Sequence, residues 1–156
     1  MPDELLDSVR VGFASLDVGP STQERALRAI SLWLDDARFI AYRAQLVALI
    51  VDERWTTLLD SFYQTLPFGT GGRRGPVGIG PNRFNPWTFA TSIQGHAEWL
   101  RAANPDGPLM VVIGYDVRQF SDINAQLIPD IHTPVTDIRS RDFAEIAAEV
   151  YAAHEI

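Results

Sequence analysis

Phe68-Gly69-Thr70-Gly71-Gly72-Arg73-Arg74-Gly75 is the stretch that decides how this chain is read. It lies in a run from Ser61 to Ala97 without a single Asp or Glu, although the chain has 20 acidic residues and a formal net charge of −7. Gly69, Gly71, Gly72, Gly75, Gly78 and Gly80 crowd the same region, joined by Arg73, Arg74 and Arg83. Glycines let backbone N–H groups approach one another and point at one spot, and an arginine guanidinium offers a planar fork to an oxyanion. An anion site is expected here, with phosphate as its guest.

Working outward, 156 residues suffice for one domain, and 46% hydrophobic with 21% charged residues is a globular composition. No apolar run reaches the length of a membrane helix, and Met1-Pro2-Asp3-Glu4 has no basic leader, so a cytoplasmic protein without a membrane partner is expected. The absence of cysteine excludes disulfides, thiol catalysis and cysteine-ligated metals. All 13 basic residues are arginine, which removes P-loop and Schiff-base lysines. An acidic chain also lacks the basic face that nucleic-acid binding needs.

The residues before the glycine-rich stretch predict several helices up to about Tyr63. Ser21-Thr22-Gln23-Glu24 has the form of a capping box. Leu27, Ile30, Leu34, Phe39, Leu46, Ile50, Trp55, Leu58 and Leu59 then recur at helical spacing, with Trp33 and Trp55 expected to pack or to face a partner. Pro67 to Phe84 reads as a bent hairpin, and Asn85-Pro86 as the start of a helix reaching Ala103, with Phe89, Ile93, Ala97 and Leu100 on its apolar face. Leu109-Met110-Val111-Val112-Ile113-Gly114 predicts a central strand covered on both faces, with Tyr115, Asp116 and Arg118 at its ligand-facing end. Gln119 to Arg139 has no clear period and is read as an insertion. Ser140 is expected to cap a last helix whose buried face carries Phe143, Ile146, Ala147, Val150 and Tyr151. The expected organisation is a helical region over 1–66 and an incomplete α/β domain over 67–156, ending where a further strand would begin.

Three motifs in order carry a resemblance: Phe68 to Gly75, Gly80-Pro81-Asn82-Arg83-Phe84-Asn85, and Ile113-Gly114-Tyr115-Asp116-Val117-Arg118. Together they resemble the first domain of the alpha-D-phosphohexomutases, the family of phosphoglucomutase and phosphomannomutase. The resemblance implies an αβα domain I with a mixed sheet. It implies an isomerase that moves a phosphoryl group between the 1 and 6 positions of a hexose through a hexose 1,6-bisphosphate, with Mg2+ and further domains. In that family the phosphoryl carrier is a serine in a TASHNP-like loop and the metal sits on a DGDxDR motif. Neither motif occurs among these residues, so no catalytic residue and no metal ligand is assigned. The carried-over residues are phosphate-site supports: Arg74 first, with Thr70, Gly71 and Gly72 shaping the loop, then Arg73 and Arg118. The chain alone is expected to be inactive.

Blander readings stand beside these. The glycine-rich turn could be a plain hairpin with solvated arginines, Asp116 and Arg118 could simply pair, and Arg83 could be a surface residue. His96, His132 and His154 show no metal-ligand spacing and are assigned nothing. A dinucleotide-binding turn is disfavoured because Pro76, Gly78, Gly80 and Pro81 prevent an immediate helix and no acid follows the turn before Glu98. The remaining alternative is a non-enzymatic mutase homologue acting as a binding or regulatory module.

Overall fold

In the computed structural model, which describes residues 2–120 and 127–156, helices dominate and the described strands are two residues long. The chain forms two compact units, Met1–Asn85 with Asp122–Thr136, and Pro86–Ser121 with Asp137–Ile156.

The first unit is built on four helices, α1 (Pro2–Ala14), α2 (Pro20–Asp35), α3 (Ile40–Val51) and α4 (Trp55–Phe62), with a 3-10 turn at Ala37–Phe39. Their core is the predicted stripe: Ile30, Leu34, Phe39, Leu46, Ile50, Leu58 and Leu59 are all buried. Trp33 is core as well, stacked on Phe39 at 4.3 Å between ring centroids and set edge-on to Phe62 at 5.5 Å. Such aromatic pairs add about 0.5–1.5 kcal/mol each beyond the area they bury. The predicted capping box is not used. Helix α2 starts at Pro20 with Gly19 as N-cap and no side-chain cap, because proline's fixed φ and missing N–H suit the first helical position and draw the start ahead of Ser21.

After α4 the chain makes the predicted hairpin, though a very short one. Strands β1 (Phe68–Gly69) and β2 (Gly72–Arg73) pair antiparallel, Phe68 with Arg73 and Gly69 with Gly72, around Thr70 and Gly71. Gly72 has φ +112°, which only glycine adopts without strain.

The second unit rests on α5 (Pro86–Ala103) and α6 (Ser140–Ala153). The predicted apolar faces meet as expected: Ala97, Ala147 and Tyr151 are the core, with Phe89, Ile93, Leu100, Val111 and Ile113 packed against it. Phe89 lies edge-on to Phe143 at 5.2 Å.

Two expectations for this unit are corrected. The segment from Leu109 to Gly114 is not a central strand, and no mixed sheet exists among the described residues. The segment has no regular secondary structure, with Val111 and Ile113 packed against the helical core and Met110 and Val112 about nine-tenths exposed. Apolar residues on both faces make a buried strand only when neighbouring strands satisfy its backbone and a second layer covers it. Ser140 is not the N-cap of α6; Arg139 holds that position. The Ser140 hydroxyl donates instead to Asp116 Oδ1 at 2.5 Å, a charged acceptor, while Asp142 reaches back to accept from the Arg139 backbone N–H at 2.7 Å. Of the segment read as an insertion, residues 121–126 lie outside the described residues; Ile128 follows them, and the buried amide of Gln45 on α3 lies against its backbone.

Candidate phosphate site

The hairpin and the turn after it enclose a cleft of about 310 Å3 lined by Pro67, Gly69, Thr70, Gly71, Gly72 and Arg74. Four of the six residues picked from the sequence as phosphate supports thus share one cavity. Arg74 is exposed, and one of its terminal nitrogens lies 3.5 Å from where a Cβ on Gly71 would sit. The guanidinium therefore folds back over the turn, to the side where the glycine backbone is bare. Among the described residues it has no hydrogen-bond or ion-pair partner, so its donors are available to a ligand.

Arg73 and Arg118 do not line that cleft. Arg73 is half-buried in β2, its side chain turned into the fold. Arg118 belongs to the second unit, where its Nε donates to Asp116 Oδ2 at 2.6 Å and its backbone N–H to Asp116 Oδ1 at 3.1 Å. The Ser140 hydroxyl, then the Arg118 backbone and side chain, hold the Asp116 carboxyl below its ordinary pKa. The pairing foreseen for Asp116 and Arg118 is present.

Arg83, counted with the local positive charge, is not a free cation. It is buried, and one terminal nitrogen donates to Asp60 Oδ2 while the other donates to the Asp60 carbonyl at 3.3 Å and the Asn82 carbonyl at 3.1 Å. Asn82 donates from Nδ2 to the Asp60 carbonyl at 2.7 Å, and its backbone N–H reaches the Ser61 carbonyl at 3.0 Å. Asn85, fully buried, donates from Nδ2 to the carbonyls of Gly78 at 3.0 Å and Gly80 at 2.9 Å. Sequence reasoning did not foresee this network. Its one signal was that Asp60 is the last acid before the acid-free run, well placed to neutralise one of the arginines beyond it.

Comparison with known proteins covers the same stretch. Residues 65–134 match the family model described as phosphoglucomutase/phosphomannomutase, alpha/beta/alpha domain I. These residues are similar to alpha-D-phosphohexomutase domain I. Among similar proteins, a phosphoglucomutase of Staphylococcus haemolyticus (strain JCSC1435) is 39% identical over 89 residues, which is 56% of this chain and 16% of that protein. A phosphoglucomutase of Staphylococcus epidermidis (strain RP62A) is 37% identical over 89 residues, 56% of this chain and 14% of its own length. Another from Staphylococcus epidermidis (strain ATCC 12228) is 42% identical over 69 residues. The chain thus matches between about an eighth and a sixth of the length of these relatives. No solved structure matches the chain. Within the phosphohexomutase segment lie the Arg74 cleft and the Asn82, Arg83 and Asn85 network; Asp60, which closes that network, precedes it.

Among the described residues there is no group of three or more His, Asp or Glu able to hold a metal ion, so the Mg2+ of the family has no fitting donor set there. No helix is long and apolar enough to cross a membrane among the described residues.

Proposed function

We propose that this segment serves a phosphoglucomutase- or phosphomannomutase-type reaction, the transfer of a phosphoryl group between the 1 and 6 positions of a hexose phosphate, as part of its phosphate site. The observation that carries the reading is the placement of Arg74 with Thr70, Gly71 and Gly72 around one open cleft. Phosphoryl transfer is governed by positioning and charge stabilisation about an in-line nucleophile. Arg74 supplies a bidentate fork for phosphate oxygens, and the glycine turn supplies backbone N–H groups unobstructed by side chains. Arg73 is a secondary support through the hairpin, and Arg118 is kept as a support on the family resemblance alone. Mg2+ and hexose 1,6-bisphosphate belong to the complete reaction; the DGDxDR-type metal motif and the TASHNP-like serine are not in this sequence. The 156 residues by themselves are therefore proposed to bind phosphate weakly without turnover.

The test is titration of the isotopically labelled chain with inorganic phosphate and with glucose 6-phosphate, followed by amide NMR. Shifts confined to residues 69–74 are expected. Arg74→Ala should weaken binding about 10- to 100-fold, since a charged hydrogen bond contributes roughly 1.5–3 kcal/mol. Identical binding by the variant would remove Arg74 from the site, and turnover by the chain alone would overturn the inactivity. The alternative, a non-enzymatic binding or regulatory module, is favoured by the exposed apolar row of Met110, Val112 and Val117; it predicts phosphosugar binding without turnover even when the family's other domains are supplied.

A further inference from the structure

We infer that Asp60, Asn82 and Arg83 form a clamp that sets the geometry of the phosphate cleft, with the Asp60–Arg83 ion pair as its positioning element. This rests on the reading of the cleft as a phosphate site, although Asp60 and Arg83 are not among the residues that line it. Their action would pass through the two ends of the loop.

The argument starts at the end of α4. The last carbonyls of a helix have no partner within it and must find donors elsewhere. Leu59 is served by the Tyr63 backbone N–H at 2.9 Å. The next two carbonyls, of Asp60 and Ser61, are taken up by Asn82 and Arg83. A residue pair 22 and 23 positions away thus finishes the helix, and the segment carrying it is pinned to that helix. Gly80 shows how close the approach is: it has φ +104°, and a Cβ there would lie 2.5 Å from the Ser61 carbonyl oxygen.

The pinned segment then holds both ends of the glycine hairpin. On the entering side, the Leu66 backbone N–H donates to the Pro81 carbonyl at 2.8 Å. On the leaving side, the Phe84 N–H donates to the Pro76 carbonyl at 2.8 Å, and the Gly78 N–H to the Phe84 carbonyl at 3.0 Å. The aliphatic part of Arg83 lies against Gly78, 3.3 Å from where its Cβ would stand. Between these fixed ends the hairpin has two strands of two residues each. Two-residue strands cannot hold a turn unaided, so the order of residues 69–74 depends on its anchors.

Charge explains why the anchor is an ion pair. Arg83 is buried and must be paired, because an isolated buried cation is costly. Pairing with Asp60 neutralises it, and Arg74 is the arginine that lines the cleft. The Asp60 side chain is 59% exposed, so removing its charge disturbs little core volume.

Asp60→Asn is the decisive variant, with Asp60→Glu as the conservative control and the full chain as the sample. Two readouts are taken: backbone 15N order parameters of residues 69–74 without ligand, and the affinity for inorganic phosphate. Asp60→Asn is expected to lower the order parameters of the loop while those of α2 and α3 stay unchanged, and to weaken phosphate binding about tenfold; Asp60→Glu should restore both in part. A pair that only stabilises the fold would lower the melting temperature and leave loop order and phosphate affinity as in the wild type, and that result would overturn the inference. If the wild-type chain binds no phosphate, the phosphate-site reading fails; the order parameters still decide whether the clamp positions the loop.

Discussion

Arg74 and Arg83 are both arginines of the acid-free run, and their fates differ for a local reason. Arg83 has an acid within reach across the end of α4 and a buried seat; Arg74 has neither and stays open to solvent. Residue type alone does not distinguish a ligand-facing cation from a structural one, since both need charge and reach. The same dependence on a neighbour appears at Asp36. Its carboxylate caps the 3-10 turn by accepting from the Arg38 backbone N–H at 2.9 Å and receives the Arg38 side chain as well. The Arg38 side chain first, then its backbone N–H, brings the Asp36 pKa down from 3.8 to about 2. Because the folded value is depressed, the pair's contribution to stability is present above the unfolded value and is lost as pH falls through the folded one. A carbon-detected NMR titration should find Asp36 ionising near pH 2, and Arg38→Ala should return it toward the ordinary value of about 3.9. A midpoint near 4 in the wild type would mean that the pair does not form.

At the scale of elements, the helices were legible because their apolar spacing matches the faces they bury, as in the Phe143, Ala147 and Tyr151 row of α6. Their starts were less legible, because Pro20 and the Asp116–Ser140 bond act through context that a capping pattern does not contain. Two helical glycines make the point quantitatively. Gly12 in α1 is buried against the Trp55 indole of α4, so a Cβ would overlap the ring; Gly95 in α5 has open space around it. Replacing a helical glycine by alanine gains roughly 1 kcal/mol of propensity, whereas overpacking costs typically 1–3 kcal/mol. Gly95→Ala is therefore expected to raise the melting temperature. Gly12→Ala should destabilise the fold by up to about 2 kcal/mol and lower the melting temperature, because an overpacking cost of about 1–3 kcal/mol is set against a gain of about 1. Thermal unfolding followed by circular dichroism measures both, and a stabilised Gly12→Ala would show that the two helices are not in contact there.

At the scale of the whole molecule, the run from Leu109 to Gly114 is where sequence and structure part. Its composition is that of a strand covered on both sides, yet among the described residues it pairs with no strand, and Met110 and Val112 stand in solvent. Val112→Thr should therefore change stability by less than about 0.5 kcal/mol, as for an ordinary surface position. A loss of 1 kcal/mol or more on thermal unfolding would mean that Val112 is covered.

The sequence by itself determined the helices, the hairpin with its cation and the phosphohexomutase relationship of the glycine-rich stretch. These rest on local periodicity, on glycine's backbone freedom and on ordered motifs, all of which are properties of neighbouring residues. Only the tertiary structure decided that Arg74 shares the cleft with Thr70, Gly71 and Gly72, that Arg83 is committed to Asp60, and that the apolar run at Leu109 joins no sheet among the described residues. The commitment of Arg83 depends on a partner 23 positions away, and the energy of a charge or a strand is set by the partner it meets.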